Sequence, residues 1–171
     1  MSPLSNSRPM KVVATWLCAT FSIGCTAAPV RPPSDEDCPP GAVQSMEEMN
    51  LFARRVIPRV VLDINQPGDQ SQDGIYRQGS IVSKVVESEF NGSLPEGTLL
   101  YGQLWTEGIR KEGKDAALVR WTEALLPDGR RFPVCFAFND RTGRMQSDPG
   151  DKPGEVRLPR EWDIYPVRGW L

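Results

Sequence analysis

The sequence predicts a mainly β protein, a small antiparallel β-barrel or sandwich with one N-terminal helix. Three observations support this prediction. After position 59 most apolar residues alternate with polar ones, which is the period of a half-buried strand. Turns rich in Gly, Pro and Asp separate the alternating runs at short intervals. Only one stretch, just before position 58, has apolar residues at helical spacing.

The start of the chain predicts a signal peptide over residues 1–24. Residues 12–23 form a mostly apolar run behind Lys11. The run has the length of a signal-peptide core and is too short to span a bilayer. Residues 1–9 are polar and lack periodicity, so Met10 is an alternative start.

Cys25 ends this apolar run and follows Ser22 and Gly24. The arrangement resembles the lipobox of bacterial lipoproteins, although Ser22 stands where Leu is usual. The resemblance implies that Cys25 is lipidated and becomes the first mature residue, with acyl chains that anchor the protein stably. Thr26, in place of Asp, favours the outer membrane of a Gram-negative bacterium. An ordinary signal peptide cleaved nearby is the alternative, and either signal exports the chain to the periplasm or cell surface.

Charge and length bound the function. The chain has 20 Lys+Arg and 22 Asp+Glu, and residues 1–24 hold two of the basic residues and none of the acidic ones. The mature part therefore carries 18 minus 22, about −4 charges, and has no basic patch that would indicate nucleic-acid binding. Residues 44–171 have the length of one domain.

Two cysteines remain in the mature chain if Cys25 is lipidated, namely Cys38 and Cys135. In an oxidising compartment an even pair predicts a disulfide. It would close a loop of about 98 residues and stabilise the fold by roughly 4–5 kcal/mol. Two buried thiols are the alternative. Because the chain has no His, two cysteines do not make a zinc ligand set, and we expect no metal and no cofactor.

A tether and a helix precede the strands. Residues 25–43 are rich in Pro and acidic residues, which predicts a tether that holds the domain away from the membrane. Ser45 and Glu48 form a capping-box pattern at the start of a helix, and Pro58 ends it. Apolar residues recur at helical spacing between them: Met46, Met49, Phe52 and Val56.

The remaining elements follow from the period of two. Strands are predicted over residues 59–65, 75–87, 99–105, 116–126 and 130–138, with one or two more in 155–171. Gly79 is a possible bulge within the second of them. Residues 107–115 predict a polar hairpin loop, and residues 139–155 predict a loop rich in Asp, Gly and Pro.

Two short motifs rich in Gly, Pro and Asp are explained by tight turns and do not require a reactive site. Pro95 and Gly97 suit a tight turn before the strand at 99–105, and Asp128-Gly129 suits a hairpin between the next two strands. Each residue therefore has a structural explanation.

The strand at 99–105 places aromatic side chains on one face. Leu100 and Leu104 face one side, whereas Tyr101 and Trp105 face the other. If that second face is external, Tyr101 and Trp105 form a candidate binding patch for protein or glycan. Packing in the core is the alternative, and for Trp121 it is the preferred interpretation.

Three segments resemble a known family in content and order. They are GSIVSKVVES, LPEGTLLYGQL and VRWTEALLPDG, which together span residues 79–129. They resemble the C-terminal β-barrel domain of TrbI-like proteins, the scaffold subunits of conjugation and type IV secretion complexes. The resemblance implies a shared barrel fold. The chain departs from the family in having no full-length N-terminal transmembrane helix and no room for the helical insertion that forms the family's pore.

The absence of His excludes Ser-His-Asp and Cys-His catalysis, and no phosphate-binding or dinucleotide motif is present. We therefore predict no catalytic residue. The expected function is a non-catalytic scaffold or accessory subunit of an envelope assembly, with the membrane and a protein as partners. The first alternative is a ligand- or glycan-binding module that uses Tyr101 and Trp105. A hydrolase with a dispersed carboxylate site is the second.

Overall fold

A computed structural model describes residues 38–52, 57–69, 72–88, 94–138 and 142–170. Within these residues the protein has one helix, α1 (Ala42–Glu48), and eleven strands. The strands are β1 (Arg59–Val61), β2 (Gly74–Arg77), β3 (Gly79–Glu87), β4 (Leu99–Trp105), β5 (Arg110–Lys111), β6 (Lys114–Leu125), β7 (Arg131–Phe138), β8 (Arg144–Gln146), β9 (Asp148–Pro149), β10 (Glu155–Leu158) and β11 (Glu161–Pro166). The predicted mainly β class is confirmed.

Six strands close into an antiparallel barrel. They are hydrogen-bonded in the order β4-β3-β1-β11-β7-β6, and β6 pairs again with β4. The predicted barrel is therefore confirmed and a sandwich is excluded. Since each of the six strands has a neighbour on both sides, closure removes the exposed edges that an open sheet would present.

Three other strands form a smaller antiparallel sheet in the order β2-β10-β9. The short strands β5 and β8 both pair with β6. The strand predicted over 75–87 is in fact two strands, because the chain leaves the small sheet at Gln78 and enters the barrel at Gly79. The loop predicted over 139–155 contains β8 and β9. In both places the sequence prediction differs because alternation within a segment carries no information about which distant strand pairs with it.

Apolar side chains fill the barrel, and the polar side chain of Ser83 lies among them. Trp121 is fully buried, which confirms its predicted place in the core. Its indole Nε1–H donates to Ser83 Oγ at 2.8 Å, and the Ser83 hydroxyl donates to the carbonyl oxygen of Leu62 at 2.5 Å. The buried serine therefore joins β6, β3 and the chain after β1, and no polar atom of this relay is left without a partner.

The helix begins earlier than the capping-box pattern predicts. It starts at Ala42 after Gly41, which adopts a left-handed φ of 78°, and no side chain caps it. Ser45 lies inside the helix, where its backbone N–H donates to the Gly41 carbonyl at 2.9 Å. The capping-box prediction is thus wrong, because the helix starts at the buried Ala42, three residues before Ser45. Val56 lies outside the described residues.

The predicted disulfide between Cys38 and Cys135 is present, with 97 residues of sequence separation. It joins the residues before α1 to the middle of β7. Met46 strengthens the same contact, because its sulfur accepts a hydrogen bond from the Cys135 backbone N–H at 3.0 Å. Residues 38–43, which the sequence places in the tether, therefore belong to the folded part of the chain.

Tyr76 on β2 makes the unfolding of this domain dependent on alkaline pH. Its side chain is buried, and burial raises the pKa of the phenol to about 12. Below pH 10 the phenol is protonated in both states, so it adds no pH dependence. Between pH 10 and 12 only the unfolded state loses the proton, so the free energy of unfolding falls by up to about 3 kcal/mol.

A Tyr76→Phe variant should lose this part of the alkaline decline. Urea unfolding at pH 8 and at pH 11.5 measures it in both proteins. At pH 8 we expect nearly equal stability, because the Tyr76 hydroxyl has no hydrogen-bond partner among the described residues. Equal declines in the two proteins would contradict the assignment.

Candidate functional site

The outer face of β3, β4 and β6 forms a cleft of about 410 Å³, within the size range of ligand sites. We call it the aromatic cleft. Strand register assembles it, since Val82 pairs with Tyr101 and Gln103 pairs with Arg120. Its lining residues are Ser80, Ile81, Val82, Tyr101, Gly102, Gln103, Trp105, Arg120, Thr122 and Trp170.

Trp170, near the chain's C-terminal end, forms one wall of the aromatic cleft. Its Nε1–H donates to the Phe136 carbonyl oxygen at 3.4 Å. Three residues earlier, the Val167 backbone N–H donates to the Cys135 carbonyl at 2.9 Å. These bonds to β7 hold the terminal segment against the barrel, and they place the Trp170 ring beside β6.

A buried cation lies against this wall. The guanidinium carbon of Arg120 is 4.8 Å from the centroid of the Trp170 ring, and only 2% of Arg120 is exposed. A cation over an indole face is favoured electrostatically, more so when water is excluded. The aromatic cleft therefore combines apolar walls with one positive charge.

Tyr101 lies on the opposite side and is partly covered. Arg131 stacks over its ring at 5.2 Å and forms an ion pair with Glu123. One face of the Tyr101 ring is thus occupied by a cation. At the rim, the Ser80 hydroxyl donates to Gln103 Oε1 at 3.2 Å.

Trp105 is 5% exposed and packs in a small apolar cluster with Ile109, Ala116 and Leu118. It is a buried part of the cleft wall rather than a protruding ring. Its indole nitrogen has no hydrogen-bond acceptor among the described residues. Tyr101 and Trp105, the two residues of the predicted patch, thus line the same cleft.

Sequence reasoning missed Arg120 and Trp170. The alternation of β6 offered a signal for Arg120, since it lies out of phase with the core residues Val119 and Trp121. No local signal placed Trp170 in the site, because its position depends on contacts with β7.

Cys25, the signal peptide and most of the tether fall outside the described residues. In the described part of the chain, no group of three His, Cys, Asp or Glu side chains could hold a metal ion. The same residues include no helix with the length and apolar character needed to cross a membrane.

The arrangement suits binding. Three aromatic rings and Val82 can bury an apolar group, while Gln103 and Thr122 offer polar atoms at the rim. Comparisons of the chain with protein-family models, with curated proteins and with solved structures find no match.

Proposed function

We propose that this chain is an exported, lipid-anchored protein of the bacterial cell envelope. It acts as a non-catalytic scaffold or accessory subunit that docks a protein partner in the aromatic cleft. The observation that carries the proposal is the composition of this cleft, with Tyr101, Trp105, Trp170 and Arg120 gathered on one outer face of the barrel.

These residue types favour a protein partner. Trp, Tyr and Arg are the residues most enriched at the energetic centres of protein–protein interfaces. An apolar side chain of a partner would fill the space between Val82 and Trp170. Next to it, Gln103 and Thr122 offer polar side-chain atoms with which a partner can form hydrogen bonds.

Barrel closure also favours docking by side chains. A partner that adds a strand to a sheet needs an exposed edge. The six barrel strands have no such edge because β4 and β6 pair with each other. The aromatic cleft on the outer face offers side chains for docking instead.

The site is less suited to a glycan than the sequence suggests. A sugar ring stacks on an accessible aromatic face. Trp105 is buried, and Arg131 covers one face of Tyr101. The glycan-binding alternative therefore receives little support at these two residues.

The cellular setting of the proposal rests on the sequence. The lipobox-like segment before Cys25 supports an anchor at the outer membrane of a Gram-negative bacterium. The resemblance of three strand-and-turn segments to TrbI-like barrels supports a structural role in an envelope assembly. The partner would then be another envelope protein.

A photo-crosslinking amino acid at Thr122 tests the site in intact cells. Thr122 is exposed and lines the aromatic cleft. We expect one discrete adduct with an envelope protein after irradiation. The matched control is the same amino acid at Glu96, which is exposed in the turn before β4 and does not line the cleft.

The Val82→Arg substitution should abolish the Thr122 adduct, because the new side chain fills the cleft. An adduct that persists in the Val82→Arg protein would contradict the proposal. So would equal adducts at positions 122 and 96, or no adduct at 122.

A further inference from the structure

A second pocket, of about 370 Å³, shares no lining residue with the aromatic cleft. Its residues come from both sheets: β6 supplies Lys114 and Asp115, and β10 supplies Arg157. Trp162 on β11 and the segment from Met145 to Asp148 complete most of the lining. We name it the Trp162 pocket, and we propose that it binds a neutral saccharide.

Trp162 supplies the apolar surface that a sugar ring needs. Its ring contacts Phe138 with centroids 4.7 Å apart, which fixes its orientation. The indole Nε1–H donates to the Pro159 carbonyl at 2.6 Å, so the polar edge of the ring is already satisfied. The partly exposed ring surface remains available for the C–H face of a sugar.

Polar groups with free capacity surround this ring. The side chains of Asp73, Lys114 and Asp148 have no hydrogen bond or ion pair with other described residues. Ser147 places a buried hydroxyl oxygen without a partner in the same lining. Its backbone N–H donates to the Asp115 carbonyl at 3.2 Å, which fixes the segment. The pocket therefore offers hydrogen-bond acceptors and an ammonium donor around an aromatic platform.

The charge of the pocket selects among ligands. Three aspartates, one lysine and one arginine line the pocket, so the formal sum is 2 minus 3, or −1. Asp115 pairs with Arg110 and Arg157 pairs with Asp151, and adding these two partners leaves the sum unchanged. Such a balance disfavours phosphates and other anions. Each hydroxyl of a neutral sugar both donates and accepts a hydrogen bond, so a sugar can use the carboxylates and the ammonium together.

The same residues argue against two other uses of the pocket. The described chain has no group of three acidic, His or Cys side chains arranged for a metal ion. Asp73, Asp115 and Asp148 are all exposed, whereas the acid of a glycosidase is a carboxyl held in a desolvated site. The proposal is therefore binding without hydrolysis.

Calorimetric titration of the full mature chain, made soluble by Cys25→Ala, tests this site. The probes are triacetylchitotriose, cellotriose and maltotriose. We expect at least one of them to bind with a Kd of about 0.1–1 mM, the range of a shallow site with few contacts. Trp162→Ala should abolish this binding, and Asp148→Asn should weaken it about tenfold.

The control is Glu96→Gln, an exposed carboxylate outside the pocket, which should leave binding unchanged. Asp148 has no partner to lose, so its variant should fold normally even if Trp162→Ala does not. Failure of all three probes up to about 10 mM, or binding that Asp148→Asn leaves intact, would overturn the proposal. The Thr122 adduct does not depend on this pocket, so either proposal can fail alone.

Discussion

Removing the Cys38–Cys135 disulfide should lower the free energy of unfolding by about 4 kcal/mol. The bond spans 97 residues of sequence, and most of its effect is the restriction of the unfolded chain over that loop. It also joins the residues before α1 to β7, so its loss weakens the docking of the helix. Urea unfolding of a Cys38→Ala/Cys135→Ala protein, in a Cys25→Ala background, measures the change.

The background protein under reducing conditions is the matched control. It should show the same loss as the double alanine variant, because both lack the same covalent bond. The prediction would be contradicted if the oxidised background protein, the reduced background protein and the double alanine variant all had the same unfolding midpoint.

Replacing Trp121 by Ala should cost about 3–5 kcal/mol, the range found for large aromatic side chains removed from cores. Trp121 is fully buried in the barrel. The indole ring packs closely against β4, because a Cβ atom added to Gly102 would lie only 2.8 Å from Trp121 Cδ1. The substitution also leaves the Ser83 hydroxyl without the donor that now binds it at 2.8 Å.

A Trp121→Phe variant separates the two contributions. It keeps most of the apolar volume and removes the Nε1–H donor, so we expect a smaller loss of about 1–3 kcal/mol. Chemical unfolding of the three proteins gives the comparison. A Trp121→Ala protein within about 1 kcal/mol of the parent would show that the barrel does not depend on this packing.

Local sequence patterns were sufficient for the hairpin of β6 and β7. The turn between them needs a residue with positive φ, and Gly129 supplies it at 89°. Asp128 accepts a hydrogen bond from the Arg130 backbone N–H at 3.0 Å, and this bond and the Arg130 side chain lower the pKa of its carboxyl. Because turn and strands are adjacent in sequence, their signals lie in one short window.

Elements that depend on distant partners were missed. β8 and β9 are two or three residues long and exist because β6 and β10 pair with them. The start of α1 was misplaced for the same reason, since Ala42 is buried by contacts that the capping pattern does not include. A short strand has too few residues for alternation to show.

In the aromatic cleft too, the sequence predicts some of the lining residues and the fold supplies the others. Alternation along β4 is enough to place Tyr101 on the face opposite Leu100. The fold then adds Arg120 from β6 and Trp170 from the C-terminal segment, and only strand register brings them together. Trp105 illustrates the limit of face assignment, because the outer face can also be buried under a local cluster.

The native mass of the tagged protein, solubilised gently from membranes, tests the central claim most directly. The comparison uses the parent and the Val82→Arg protein, with a Cys25→Ser/Val82→Arg double variant, expected in the soluble fraction with a blocked cleft, as the monomer reference. We predict that the parent runs as a larger complex with one defined envelope protein and that Val82→Arg runs as the monomer. A parent protein that runs as a lone monomer, or a complex that Val82→Arg leaves intact, would contradict the account.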